Sequence, residues 1–123
     1  MAWRKSPPEL IEAFLTALPN SPRIERRQMF GYPAAFVNGN MFAGLHQDDV
    51  LVRLPDGLRE TLLSEGGRRW EPTPGRVMKN YLLLPVGVEQ AALVRWVEHS
   101  FTHAASLPER RRKAPRLREK GRT

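Results

Sequence analysis

Residues 27 to 53, RQMFGYPAAFVNGNMFAGLHQDDVLVR, decide the fold of this 123-residue chain. Asn38-Gly39 separates two apolar runs, and this dipeptide strongly favours a two-residue hairpin turn, because both turn positions need a positive φ. Residues 46 to 49 predict a second turn, after which residues 50 to 52 return as a strand. The stretch therefore predicts an antiparallel meander of three short strands.

One further strand is expected before the meander and one after it. Residues 28 to 30 predict a first strand, which Gly31-Tyr32-Pro33 should break or bulge, because Pro33 cannot donate a ladder hydrogen bond. Residues 78 to 84, MKNYLLL, predict a late strand, and residues 68 to 77 are expected to form a loop anchored by Trp70. The sheet should therefore have about five strands.

Helices are predicted before, between and after these strands. Ser6-Pro7-Pro8-Glu9 has the form of a capping box, and apolar residues follow it at helical spacing. A short helix should begin near Asp56 and end at Gly66-Gly67, and a last helix should cover residues 88 to 105. Helices separated from an antiparallel meander indicate the α+β class, with the helices on one face of the sheet.

Positive charge is concentrated at the C-terminal end of the chain. Residues 106 to 123 contain two acids and eight bases: Arg110, Arg111, Arg112, Lys113, Arg116, Arg118, Lys120 and Arg122. This segment carries +6 of the net charge of +7, which leaves +1 for residues 1 to 105. We expect a folded domain over residues 1–105 and a disordered basic tail over residues 106–123. Such a tail binds nucleic-acid phosphates without sequence specificity, or only solubilises the protein.

Several classes of function lack support in the composition. The chain has no cysteine, so disulfides and thiolate chemistry are excluded. We see no secretory leader and no run of about 18 apolar residues, so we expect a cytoplasmic protein without a membrane-spanning segment. No cofactor-binding or metal-binding motif is complete, and we expect neither a cofactor nor a metal.

Three groups of residues are candidate chemical sites. His99 and His103 share a helix face, but a third metal ligand is missing from the pattern. His46 stands in a turn with two aspartates, where polar residues are ordinary. Gly66-Gly67 is followed by two arginines but lacks the phosphate-loop lysine, so a helix C-cap is favoured. The methionines and phenylalanines of the strands are expected to be core, or alternatively to line a partner-binding surface.

Several segments together resemble the N-terminal domain of the TfoX/Sxy family of competence regulators. The resemblance is carried by RQMFG, FVNGNMFA, LVRL, PGRVM and YLLLP, in this order, between about residues 26 and 105. The signature positions are Met29, Phe30, Gly31, Gly39, Met41, Phe42, Met78, Tyr81 and Pro85. The residues Gly31-Tyr32-Pro33 and Asn80-Tyr81 depart from the family pattern, and the chain has no segment resembling the family's helical C-terminal domain. We therefore expect a stand-alone subgroup.

The resemblance implies a fold and a mode of action. The fold is an α/β sandwich of the secretion-chaperone-like kind, with a strongly bent antiparallel sheet. The family implies no catalytic residues, and we expect a non-enzymatic regulatory domain that binds a protein partner or itself as a homodimer. The alternative is a small-molecule-binding domain or hydrolase, with a pocket between the sheet and the last helix and with His46 or Tyr81 in that pocket.

Overall fold

The structure is a computed structural model, and it describes residues 5–110. The elements in chain order are α1 Pro8–Ala17, β1 Glu25–Met29, β2 Tyr32–Val37, β3 Asn40–His46, β4 Asp49–Arg53, α2 Asp56–Ser64, β5 Arg68–Arg69, β6 Tyr81–Leu83 and α3 Gln90–Ala105. The described chain is therefore of the α+β class, as the sequence predicts.

The strands form one antiparallel sheet in the order β1-β2-β3-β4-β6-β5. Three successive two-residue turns connect the first four strands, which makes the meander one hairpin longer than predicted. The register of β2 and β3 shifts between Ala35 and Phe36, whose partners are Ala43 and Met41. Phe42 is thus an extra residue in β3, and a bulge of this kind bends a sheet.

The hydrophobic core lies between the sheet and the helices α1 and α3. Phe42 is fully buried and its ring meets the ring of Phe101 of α3 edge-on, with centroids 5.4 Å apart. Phe14 of α1 and Leu62 of α2 are also fully buried in the same cluster. The apolar residues predicted at helical spacing in the first helix therefore do pack against this core.

The largest departure from the predicted elements lies around Phe30. The first strand is the charged segment Glu25–Met29, and Phe30-Gly31 forms a hairpin turn after it. The chain does not break at Pro33, which lies inside β2 opposite Gln28. Arg68-Arg69, predicted as loop, adds the short strand β5, so the sheet has six strands where about five were predicted.

The start of α1 also differs from the prediction. Pro7 is the N-cap, and no side chain caps the helix. The hydroxyl of Ser6 instead donates a hydrogen bond to the carbonyl oxygen of Gln47, 2.6 Å away in the β3–β4 turn. The predicted capping box is wrong, because Ser6 ties the helix to the sheet. Gly66, with φ 102, does follow the C-terminus of α2 as predicted.

Length and hydropathy of the helices bear on the membrane prediction. No helix within residues 5–110 is both long and apolar enough to cross a bilayer.

Candidate binding surfaces

The β1–β2 turn, which we call the exposed turn, presents an aromatic side chain to solvent. Phe30 has φ 56 and Gly31 has φ 84, so both turn residues are in the left-handed region. That region is unfavourable for a bulky side chain, by about 1–2 kcal/mol. The side chain of Phe30 is nevertheless 84% exposed, and that of Met29 is 37% exposed. The expectation that these two residues belong to the core is therefore wrong.

An open groove of about 620 Å³ runs beside the exposed turn, between α1 and the β1–β2 hairpin. Apolar side chains of Ile11, Leu15 and Pro33 line it, together with the basic side chains of Lys5 and Arg26. A groove with this lining suits a partner that presents apolar and acidic side chains.

The β2–β3 turn, which we call the covered turn, is packed under residues 106 to 110, the segment that follows α3. Asn38 has φ 55 and Gly39 has φ 76. The backbone N–H of Arg110 donates to the carbonyl oxygen of Asn38 at 2.7 Å. The side-chain amide of Asn38 donates to the carbonyl oxygen of Ala105 at 3.1 Å. The turn is therefore a contact point for residues 105 to 110.

The two residues after Asn38 complete this contact. The side-chain amide of Asn40, which is only 5% exposed, donates to the carbonyl oxygens of Asn38 and Pro108, at 3.3 and 3.2 Å. A Cβ atom on Gly39 would lie 1.8 Å from the carbonyl oxygen of Arg110, which is closer than atoms can approach. Glycine is required there by its positive φ and by the close passage of the backbone.

The other signature residues lie along β3, β6 and their flanks. Tyr81 donates its hydroxyl hydrogen to the carbonyl oxygen of Met41 at 3.0 Å, which links β6 to β3 next to the covered turn. The N–H of Met78 donates to the carbonyl oxygen of Trp70 at 2.8 Å. Pro85 lies against Gly66, at the C-terminus of α2. These positions support the sheet, so the structure explains them without a ligand.

Beside Tyr81 lies a group of basic side chains, Arg53, Arg59, His103 and Arg110, which we call the basic corner. The guanidinium carbon of Arg53 is 5.9 Å from the centroid of the Tyr81 ring. Arg59 donates to the carbonyl oxygen of Leu54 at 2.6 Å and pairs with Asp56. The Nε–H of Arg53 is buried and has no hydrogen-bond partner among the described residues.

Two pKa values report the electrostatics of the basic corner. Burial raises the pKa of Tyr81 above its ordinary value, and the positive charges of Arg53 and Arg110 oppose this rise. Partial burial lowers the pKa of His103, and the nearby charges of Arg53 and Arg59 lower it further. The charges that act on both groups are arginines, so the potential at this corner is positive.

The candidate catalytic residues are engaged in packing. His46 lies between two aromatic rings, with centroids 5.5 Å from Tyr32 and 6.1 Å from Trp70. The ring of Trp70 also lies 5.8 Å from that of Tyr81, so Trp70 does anchor its loop on the sheet. Side chains fill the space between α3 and the sheet, where the alternative placed a pocket. Among the described residues, no three metal-ligating side chains come together.

The predicted basic tail is described only at its start. Residues 106 to 110 follow α3 and contact the covered turn. Arg111, Arg112, Lys113, Arg116, Arg118, Lys120 and Arg122 lie outside the described residues. The boundary at residue 105 and the disorder of the tail stay predictions.

The basic corner is the feature that the sequence did not reveal. Residues 1–105 carry a net charge of only +1, from which no basic surface was expected. The corner joins β4, α2, α3 and the segment after α3, which are distant in sequence, so a sum of charges along the chain conceals it. Arg53 at the end of β4 was the available signal, because it is a basic residue directly after the apolar run of residues 50 to 52.

Comparison with known proteins places the chain in a family. Searches of curated proteins and of solved structures returned no significant match. The family model of the TfoX N-terminal domain matches residues 16–104, well over half of the chain. This range includes all three hairpin turns and all the signature residues from Met29 to Pro85. The chain therefore belongs to the TfoX N-terminal domain family.

Proposed function

We propose that this chain is a regulatory domain that acts by binding and catalyses no reaction. Its principal ligand is a protein, either a different partner or a second copy of the chain, and its setting is transcription or competence regulation in the cytoplasm. The basic tail adds affinity for nucleic acid without sequence specificity. Membership of the TfoX N-terminal domain family supports the regulatory role.

The exposed turn is the observation that carries this proposal. Phe30 occupies a backbone conformation that asparagine or glycine adopts at lower cost, and its ring is 84% exposed. Neither turn formation nor burial in the core explains a phenylalanine there. Backbone strain that the fold does not need is often found at binding sites. Aromatic residues are also frequent energetic anchors of protein interfaces.

The neighbouring groove supports the same assignment. It lies next to the exposed turn, and it combines apolar lining with Lys5, Arg26 and Arg27. The guanidinium of Arg27 stacks 4.3 Å above the ring of Phe36, which holds that side chain against the sheet. A partner that inserts an apolar side chain beside Phe30 and presents carboxylates to Lys5 and Arg26 fits both features. Arg27 is already paired with Glu25, at 2.9 Å.

Affinity capture with a matched pair of variants tests the proposal. Phe30→Asn keeps a residue that tolerates a positive φ, and Val86→Asn replaces a second apolar residue that is 83% exposed. Each full-length protein is used as bait in a nuclease-treated lysate. We expect a band that is retained by the wild type and by Val86→Asn and is lost with Phe30→Asn. Identical capture by all three proteins contradicts the assignment.

Light scattering distinguishes the two kinds of partner. If the ligand is a second copy, the mass of the wild type rises with concentration and that of Phe30→Asn stays at the monomer. If the ligand is another protein, both remain monomeric at concentrations where capture succeeds. A concentration-dependent mass in both proteins places self-association away from the exposed turn.

The alternative, a hydrolase or small-molecule-binding domain, has less support. The hydroxyl of Tyr81 is committed to the carbonyl of Met41, and His46 is packed between two rings. The groove beside the exposed turn lies between α1 and the β1–β2 hairpin, on a different part of the molecule from the predicted pocket.

A further inference from the structure

We propose that the basic corner is a seat for a phosphate of a nucleic-acid backbone, and that Arg53 is its principal contact. The folded domain then binds nucleic acid at a defined place, and the tail extends this contact. Such a seat rests on the nucleic-acid part of the proposed function and extends it. It is independent of the protein partner and of the exposed turn.

The Arg53 side chain is only partly satisfied by the fold, because its guanidinium lies beside the Tyr81 ring and interacts with the Tyr81 hydroxyl. Its Nε–H is buried and lacks a hydrogen-bond partner among the described residues, and no carboxylate within residues 5–110 pairs with its guanidinium. A buried polar group without a partner costs free energy, so a native structure that contains one invites an explanation. Arginine is also the side chain whose planar donors match a phosphate best.

Other basic side chains lie near Arg53. Arg59 is positioned by the carbonyl of Leu54 and by Asn80, and His103 approaches from α3. Arg110 is fixed beside the same corner because its backbone N–H binds Asn38. Arginines from β4, α2 and the segment after α3 therefore lie around one place, where only Asp56 supplies a paired carboxylate among the described residues. An anion relieves the repulsion among them.

The position of Arg110 bears on the length of the ligand. Arg110 is the first base of the tail, and seven more bases follow it in sequence. The covered turn holds the backbone of Arg110 against the domain, beside the basic corner. A ligand seated there meets further positive charge along the tail, which suits a polymer of phosphates better than a single small anion.

The salt dependence of DNA binding tests the seat with the full chain. A labelled duplex of mixed sequence is titrated by fluorescence anisotropy between about 50 and 200 mM salt. Each phosphate contact contributes about 0.9 to the slope of log affinity against log salt. We expect Arg53→Gln to lower this slope by about 0.9 and to weaken binding at low salt by roughly threefold or more.

A matched control separates the seat from net charge. Arg95→Gln removes the same charge from the exposed side of α3, two turns before His103, and should leave slope and affinity unchanged. A third full-length variant has the seven tail bases after Arg110 replaced by glutamine. It should bind weakly, and Arg53→Gln should weaken it further. If Arg53→Gln behaves like Arg95→Gln, the seat is wrong and the tail alone binds.

A measurement on the wild type guards against a misfolded variant. The Arg53 Nε–Hε signal of the nitrogen-15-labelled chain should shift when the duplex is added. Movement of tail signals with a stationary Arg53 signal overturns the inference. The inference is also overturned if anionic vesicles, and not the duplex, bind in a manner that depends on Arg53. The ligand is then a lipid headgroup.

Discussion

The exposed turn and the covered turn have nearly the same backbone and opposite surroundings. Phe30-Gly31 has φ values of 56 and 84, and Asn38-Gly39 has 55 and 76. Each joins two adjacent strands with two residues, as a right-handed twist favours. The covered turn holds the segment after α3, whereas the side chain of Phe30 is 84% exposed.

This difference separates a turn whose residues bond to α3 and the segment after it from a turn whose aromatic side chain is mostly exposed. Asparagine and glycine are the residues that a turn with two positive φ values prefers, and the covered turn also uses the side chain of Asn38 and the lack of one at Gly39. The exposed turn keeps the glycine but has phenylalanine where asparagine costs less. Because the two turns have nearly equal φ values, the backbone conformation does not explain why residue 30 is a phenylalanine.

The largest expected effect on stability is that of Gly39→Ala. The added Cβ collides with the carbonyl of Arg110, and the residue must also remain at φ 76. Gly87→Ala is the matched control, because Gly87 has φ 75 and a Cβ atom added to it would meet no described atom within 4 Å. We expect a loss of about 3 kcal/mol at Gly39 and about 1 kcal/mol at Gly87 in urea unfolding. Equal losses in the free energy of unfolding would mean that the segment after α3 does not pack closely against Gly39.

Asn40→Asp should have the next largest effect. The amide of Asn40 donates to two carbonyl oxygens, and a carboxylate in its place has no hydrogen to donate. We expect a loss of about 2 kcal/mol in the free energy of unfolding. Asn20→Asp, at an exposed position after α1, adds the same charge and should cost little. If the two variants are equally stable, Asn40 does not hold the chain at Pro108.

The smallest expected effect is the pH dependence that His103 adds at the basic corner. Its pKa is lowered from 6.5 in the folded state, so the unfolded chain takes up the proton more readily. The contribution of His103 to the free energy of unfolding is complete above pH 6.5, the ordinary pKa, which holds in the unfolded chain. It is lost as the pH falls through the lower pKa of the folded state. His103→Gln should therefore lose less thermal stability than the wild type between about pH 8 and pH 5. His99→Gln, on the same helix, is the control; parallel curves for His103→Gln and the wild type contradict the assignment.

The parts of the fold that sequence predicts are those set by local signals. Asn38-Gly39 marks its turn, Gly66 marks the end of α2, and the apolar spacing of α3 marks that helix. The covered turn also shows the limit of such signals. That Gly39 must admit the backbone of Arg110, 71 positions away, is a tertiary fact that no local pattern contains.

The features that sequence missed have tertiary causes or break a local rule. β1, Glu25–Met29, lacks the apolar alternation of a strand because it is an edge strand with an exposed face. The turn at Phe30 breaks the preference for asparagine or glycine, so sequence assigns Phe30 to a strand and to the core. The basic corner gathers side chains from four distant segments. Local rules fail here at the two places to which we assign binding, as is expected of functional sites.

The free energy of unfolding of Phe30→Asn tests the central claim most directly. If Phe30 is present for binding and strains the turn, asparagine relieves the strain, and urea unfolding should show a gain of about 1 kcal/mol while partner capture is lost. A loss of stability in Phe30→Asn would contradict the account, because Phe30 would then serve the fold as Gly39 does.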